Sequence, residues 1–144
     1  MRKQLLIVVA ALTYAGSLSF SPTLSAEEKK IDFVKDVQPI LAVSCVKCHG
    51  ADPKGKKPKG KYDLTTKAGA MESGDHKKDN IVPKQSEKSL FYTTLLHSVG
   101  SGDDEIGRMP YKKDPLTAEQ IALLKAWIDQ GAAWPDGAKV ALKE

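Results

Sequence analysis

Apolar residues recur at helical intervals in three stretches of this chain. Phe33, Val34, Val37, Ile40, Leu41 and Val43 follow Asp32 at such a spacing, which predicts a short helix ending just before Cys45. Pro39 is compatible with it only in a first turn or at a kink. A second helix is predicted from Ser86, as its cap, to about Ser98, with Leu90, Phe91, Thr94 and Leu95 facing inward and Gly100 ending it. The third is the clearest. Thr117 and Gln120 make a capping box, Ile121, Leu124, Trp127 and Ile128 share one face, and Gly131 stops the run. Residues 51–63, 69–85 and 100–114 carry glycine, proline, asparagine and charge without periodicity and read as loops. No strand-like alternation competes after residue 26, and no internal repeat is present. The expected fold class is all-α.

Ahead of these elements lies a different pattern. Arg2 and Lys3 precede the apolar run Leu5–Leu12, and Leu24-Ser25-Ala26 offers small residues for cleavage. This is the layout of a secretory signal peptide over residues 1–26, leaving one domain over 27–144 and a periplasmic or secreted location. The alternative is an uncleaved membrane anchor, but the strongly apolar run falls short of the roughly 18 residues needed to span a bilayer.

Charge narrows the function classes. The formal charge is +4, from 22 basic and 18 acidic residues. Arg2 and Lys3 belong to the leader, so the remaining domain is nearly neutral, which argues against nucleic-acid binding. The lysines of the 54–61 stretch, Lys54, Lys56, Lys57, Lys59 and Lys61, read as a solvated loop ahead of a docking patch for an acidic partner. The triplet Asp103-Asp104-Glu105 lacks the spaced ligands of a calcium loop and reads as a solvated turn.

Only two cysteines are present, and both fall in Cys45-Val46-Lys47-Cys48-His49. Thiols three residues apart can each add across a haem vinyl group, with the adjacent imidazole beneath the iron as proximal ligand. This is the attachment signal for one covalent haem c. Such a pentapeptide arises by chance in about one chain in a thousand of this length, and an export signal fits the oxidising compartment that the chemistry requires. A thioredoxin-like pair would follow a strand and open a helix, whereas this pair closes a helix. A zinc site recruiting His76 or His97 lacks a second close-spaced ligand pair.

The sixth iron position separates electron transfer from chemistry at the metal. Met109, in Gly107-Arg108-Met109-Pro110, is the candidate. Pro110 biases it toward extended backbone and Gly107 permits close approach. Met71 is a competing thioether in an amphipathic turn without a following proline. His97 reads as a partly buried structural residue and His76 as solvated. Tyr62 and Arg108 are candidate donors to a haem propionate.

The segments Asp32-Phe33, Asp36-Val37-Gln38-Pro39-Ile40-Leu41 and Cys45 to Gly50 resemble the opening of the Planctomycete-type cytochrome c domains. Val82-Pro83, Ser86 to Leu90, Arg108-Met109-Pro110, Leu116-Thr117, Leu124 to Ile128 and Trp134-Pro135 extend that similarity over 32–137. Tyr111 departs from the pattern, where a second proline is common, and the lysine-rich insert is foreign to it. The resemblance implies the all-α class I cytochrome c fold, with Cys45, Cys48, His49 and Met109 in the four haem-bonding roles. The expectation is an exported monohaem electron carrier, not an enzyme, that exchanges single electrons with separate redox proteins, among them a periplasmic or membrane-bound oxidoreductase. The alternatives are a haem peroxidase or a gas or redox sensor with an open sixth position, and an interaction module in which haem is structural.

Overall fold

In the computed structural model, which describes residues 29–50, 55, 57–76 and 79–143, the first helical stretch begins as a cap-and-widen turn. The Asp32 carboxylate accepts from the Lys35 N–H at 2.9 Å, and the Asp36 carboxylate accepts from the Asp32 N–H at the same distance. Phe33–Val37 then winds as a π-helical turn, with the Gln38 N–H reaching back to the Phe33 carbonyl. The next residue explains the widening. Pro39 has no N–H to give to a carbonyl one turn back, so it is accommodated in the first turn of α1, Gln38–Ser44. The expected helix therefore forms and ends before Cys45, but in two windings.

A one-turn helix, α2 (Val46–His49), follows directly, and α3 (Lys67–Glu72) comes after a return loop that includes a short 3₁₀ turn at Lys59–Lys61. Two further helices complete the set, α4 (Leu90–Leu96) and α5 (Ala118–Asp129). The described residues hold no strand, only isolated bridges between Thr66 and Lys139 and between Val99 and Ile106. The fold is all-α, as the periodicity requires.

Two expectations need correction. The stretch 69–85 is not all loop, because α3 occupies Lys67–Glu72; the Thr66 hydroxyl caps it by accepting from the Gly69 N–H at 3.1 Å. Gly69 hides this helix from a propensity reading, yet it is required by contact: a Cβ there would lie 2.4 Å from the Asp63 carbonyl oxygen. The second correction concerns Ser86, which does not cap α4. It opens a 3₁₀ turn, Ser86–Lys88, is buried, and gives its N–H to Asp129. Ser89 is the residue before α4, and its hydroxyl accepts from Val82 N–H at 2.9 Å and donates to Gln85 carbonyl at 3.0 Å. It shapes the approach to the helix instead of capping it.

α5 matches its pattern closely. Thr117 and Gln120 satisfy one another's backbone N–H groups, at 3.0 and 3.2 Å, and Leu124, Trp127 and Ile128 are buried. Gly131, at φ +108, turns the chain out of the helix. Trp127 then meets Phe33 at 5.9 Å between ring centroids, and Phe33 meets Trp134 at 4.1 Å. Both indole N–H groups are satisfied, by the carbonyls of Ala133 and Ala138 at 2.9 Å. This aromatic cluster docks the beginning of the first helix on α5, and α1 projects from it to carry the cysteine turn.

The N-terminal leader reading, residues 1–26, lies outside the described residues, as do Lys54 and Lys56 of the lysine-rich loop. No helix among the described residues is long and apolar enough to cross a membrane.

Candidate haem site

The backbone gathers the three residues of the attachment motif on one turn. The Cys45 N–H bonds the Leu41 carbonyl at 3.0 Å, continuing α1, and the Cys45 carbonyl accepts from the N–H groups of both Cys48 and His49, at 3.1 and 2.9 Å. Positions i, i+3 and i+4 of a helix lie on one side. Val46 points the other way and is buried in the core, which anchors the turn. Gly50 releases the chain at once, in an extended conformation. A side chain there would bring its Cβ to 2.5 Å from the Val46 carbonyl oxygen and 3.2 Å from the Thr65 methyl group.

The return loop is fastened to this turn. The Leu64 N–H donates to the His49 carbonyl at 2.7 Å, and the Leu64 side chain is buried. Asp63 holds the loop's shape by accepting from the N–H and hydroxyl of Thr65, at 2.9 and 2.7 Å. Its own N–H donates to the Ser73 hydroxyl at 2.8 Å, at the far end of α3. Tyr62 stands edge-on to His49, with ring centroids 5.7 Å apart and planes at 65°.

Charge is kept out of this site. Burial, and secondarily Cys48, push the Cys45 thiol up to about 12. Burial also lowers His49 below the usual imidazole range; the backbone at Tyr62 and Lys59 opposes that shift and the Lys59 charge adds to it. His49 is therefore held neutral, the form in which imidazole ligates a metal. Burial, with the Cys45 thiol nearby, also raises Tyr62 and keeps its phenol un-ionised.

These features discriminate among the chemistries open to a cysteine pair. A zinc centre needs ligands beyond the two thiols and His49. No group of three or more His, Cys, Asp or Glu with metal-holding geometry occurs among the described residues, and His76 and His97 are exposed. The exposure of His97 corrects the expectation that it is partly buried. Two thiols on one turn, the first half-buried and the second exposed, beside a neutral imidazole, fit haem attachment.

Met109 lies on a separate element. The pair of bonds between Val99 and Ile106, at 2.9 and 2.8 Å, closes the preceding loop, and the Met109 N–H donates to the Thr94 carbonyl at 2.7 Å. That carbonyl belongs to the last turn of α4, where helical partners run out. The Met109 side chain is half-buried against the core. Met71 is also half-buried, on α3. Hydrogen bonds link the return loop to the segment bearing Met109: Tyr62 to Ala70 of α3, Ser73 to Asn80 at 2.7 Å, Asn80 to Phe91 at 2.9 Å, and Thr94 of α4 to Met109.

The hydroxyl of Tyr62, a candidate propionate donor, donates to the Ala70 carbonyl at 3.1 Å.

Residues 45–110 match the family model described as Planctomycete cytochrome C. The matched span runs from the first thiol to the proline that follows Met109. A cytochrome c match implies haem binding and haem-based electron transfer. No curated protein and no solved structure matches the chain.

Proposed function

We propose, from a Planctomycete cytochrome C stretch that begins at the first thiol and ends just past Met109, that this protein is an exported electron carrier holding one haem c. Cys45 and Cys48 form the thioether bonds, His49 is the proximal ligand and Met109 the distal one, within a class I cytochrome c fold. The observation that carries the reading is the turn 45–49, which puts two thiols and a neutral imidazole on one side. Haem, when bound, supplies the ferric/ferrous couple.

The chain's own residues supply position and a low dielectric. His49 is fixed through its carbonyl by Leu64 and across its ring by Tyr62, and Met109 through its N–H by Thr94. Ligands retained in both oxidation states keep reorganisation small, which favours outer-sphere transfer over chemistry at the metal. The donors and acceptors are separate redox proteins, and the working compartment is the periplasm or the exterior.

A haem-linked peroxidase stain after denaturing electrophoresis of exported protein tests the attachment. A stained band lost in the Cys45→Ala/Cys48→Ala double variant is expected; an unstained band from the unsubstituted protein overturns the proposal. The ferric spectrum tests the ligand set. A Met-to-iron charge-transfer band should vanish in Met109→Ala and persist in Met71→Ala, whereas a high-spin spectrum of the unsubstituted protein points to an open sixth position.

A further inference from the structure

The backbone of Met109 is tied to α4 by its N–H on the Thr94 carbonyl at 2.7 Å. A second contact closes the loop around it, between the residues two places before and two places after. The Tyr111 ring lies against Gly107: a Cβ built on that glycine would sit 3.0 Å from both Cδ2 and Cε2 of the ring. Apart from its chain neighbours, the ring is all that such a Cβ would meet within 4 Å among the described residues. Gly107 also lies outside the left-handed region that favours glycine, so its backbone angle does not require one. The room left by the missing side chain is taken up by Tyr111.

The turn that follows supports the same ring. Lys112 adopts a left-handed conformation, at φ +52, and brings its ammonium to 5.2 Å from the Tyr111 ring centroid. The Lys113 N–H donates to the Pro110 carbonyl at 3.3 Å, and the paired bonds between Val99 and Ile106 fix the strand of chain that enters Gly107. Met109 is thus the middle residue of a five-residue loop whose two ends meet through a glycine and a ring. Tyr111 is 58% exposed, so the contact is not core packing. A proline at this position would stiffen the turn by fixing φ, whereas a tyrosine closes the loop through its side chain.

We infer that Tyr111 is a positioning residue for Met109: its ring clasps Gly107, closes the loop 107–111 and keeps the thioether on the iron against competing ligands. The inference rests on the assignment of Met109 as distal ligand proposed above. It makes Tyr111 act through Met109 and gives it no contact with the iron. Gly107 and Tyr111 form a matched pair, so the same contact is broken by removing the ring from one end or by filling the glycine at the other.

The test titrates the haem-loaded ferric protein with imidazole, following loss of the Met-to-iron charge-transfer band, and records the melting temperature alongside. Tyr111→Ala and Gly107→Ala should each bind imidazole roughly two- to tenfold more tightly than the parent, because Met109 is then off the iron in a larger fraction of molecules. Tyr111→Phe, which keeps the ring, should bind as the parent does. Gly107→Ala should add nothing in the Tyr111→Ala background, where no ring is left to displace. A Tyr111→Ala protein that melts earlier but keeps the parent's imidazole affinity shows a packing role only and overturns the inference. So does a Tyr111→Phe protein that behaves like Tyr111→Ala, or a Gly107→Ala effect that adds in full to that of Tyr111→Ala. If Gly107→Ala does not fold, Tyr111→Ala and Tyr111→Phe decide alone: tighter binding by the alanine variant supports the clasp and equal affinities defeat it. A parent without the charge-transfer band defeats the Met109 assignment and this inference with it, and that failure is visible before any substitution is made.

Discussion

Gly50 and Cys48 occupy opposite extremes of constraint on the same turn. Cys48 is exposed, whereas any side chain at Gly50 must collide with the Val46 carbonyl or push away Thr65. Gly50→Ala should therefore displace the return loop from α2 and lower stability by about 1–3 kcal/mol, the scale of overpacking at a tight contact, measured as a shift in the denaturation midpoint. Cys48→Ser should leave a folded protein with a single thioether bond, seen as a weaker stain and an altered reduced-haem spectrum. The grouping of Cys45, Cys48 and His49 on one turn was legible in the sequence because it depends on spacing alone. The Tyr62–His49 pair was not. It depends on a loop returning over α2, and nothing local to Tyr62 records where that loop lands.

At the scale of elements, the same division between local and non-local causes recurs. The α5 capping box was readable because both partners lie within one turn, and Thr117→Ala should cost about 1 kcal/mol by chemical denaturation. α3 escaped notice because its one fully buried residue is an alanine and a glycine sits at its centre; its support comes from Thr66 and from Asp63 across the loop. α5 also carries a pH-dependent tie. The Asp129 carboxylate accepts from Lys125 at 2.7 Å and from the Ser86 N–H at 3.0 Å, and those bonds, the lysine foremost, hold it below the usual carboxylate range. A depressed carboxyl contributes stability that is present above its unfolded pKa and lost as pH falls through the folded one. Acidification should accordingly loosen the Ser86–Lys88 turn from α5, and Asp129→Asn should be less stable than the parent at neutral pH, with the difference shrinking in acid, as followed by hydrogen exchange of the Ser86 amide.

For the whole molecule, the decisive contact is the aromatic cluster. Phe33, Trp127 and Trp134 join the start of the first helix, the end of α5 and the segment beyond it. Phe33→Ala should destabilise by about 3–5 kcal/mol in a denaturant titration, because the indoles on either side are locked by their own hydrogen bonds and cannot close the cavity. An all-α architecture was predictable from periodicity. The π-helical opening was not, since it depends on Pro39 following a turn whose Phe33 is packed in the core.

The segment that follows Trp134 runs back beneath residues far earlier in the chain. The Val140 N–H bonds the Thr65 carbonyl at 2.9 Å, the Gln38 side chain donates to the Lys139 carbonyl at 2.7 Å, and Lys139 bridges to Thr66. The return loop over the cysteine turn is therefore backed by a segment distant in sequence, so its placement is settled only once the chain on both sides of α5 has packed.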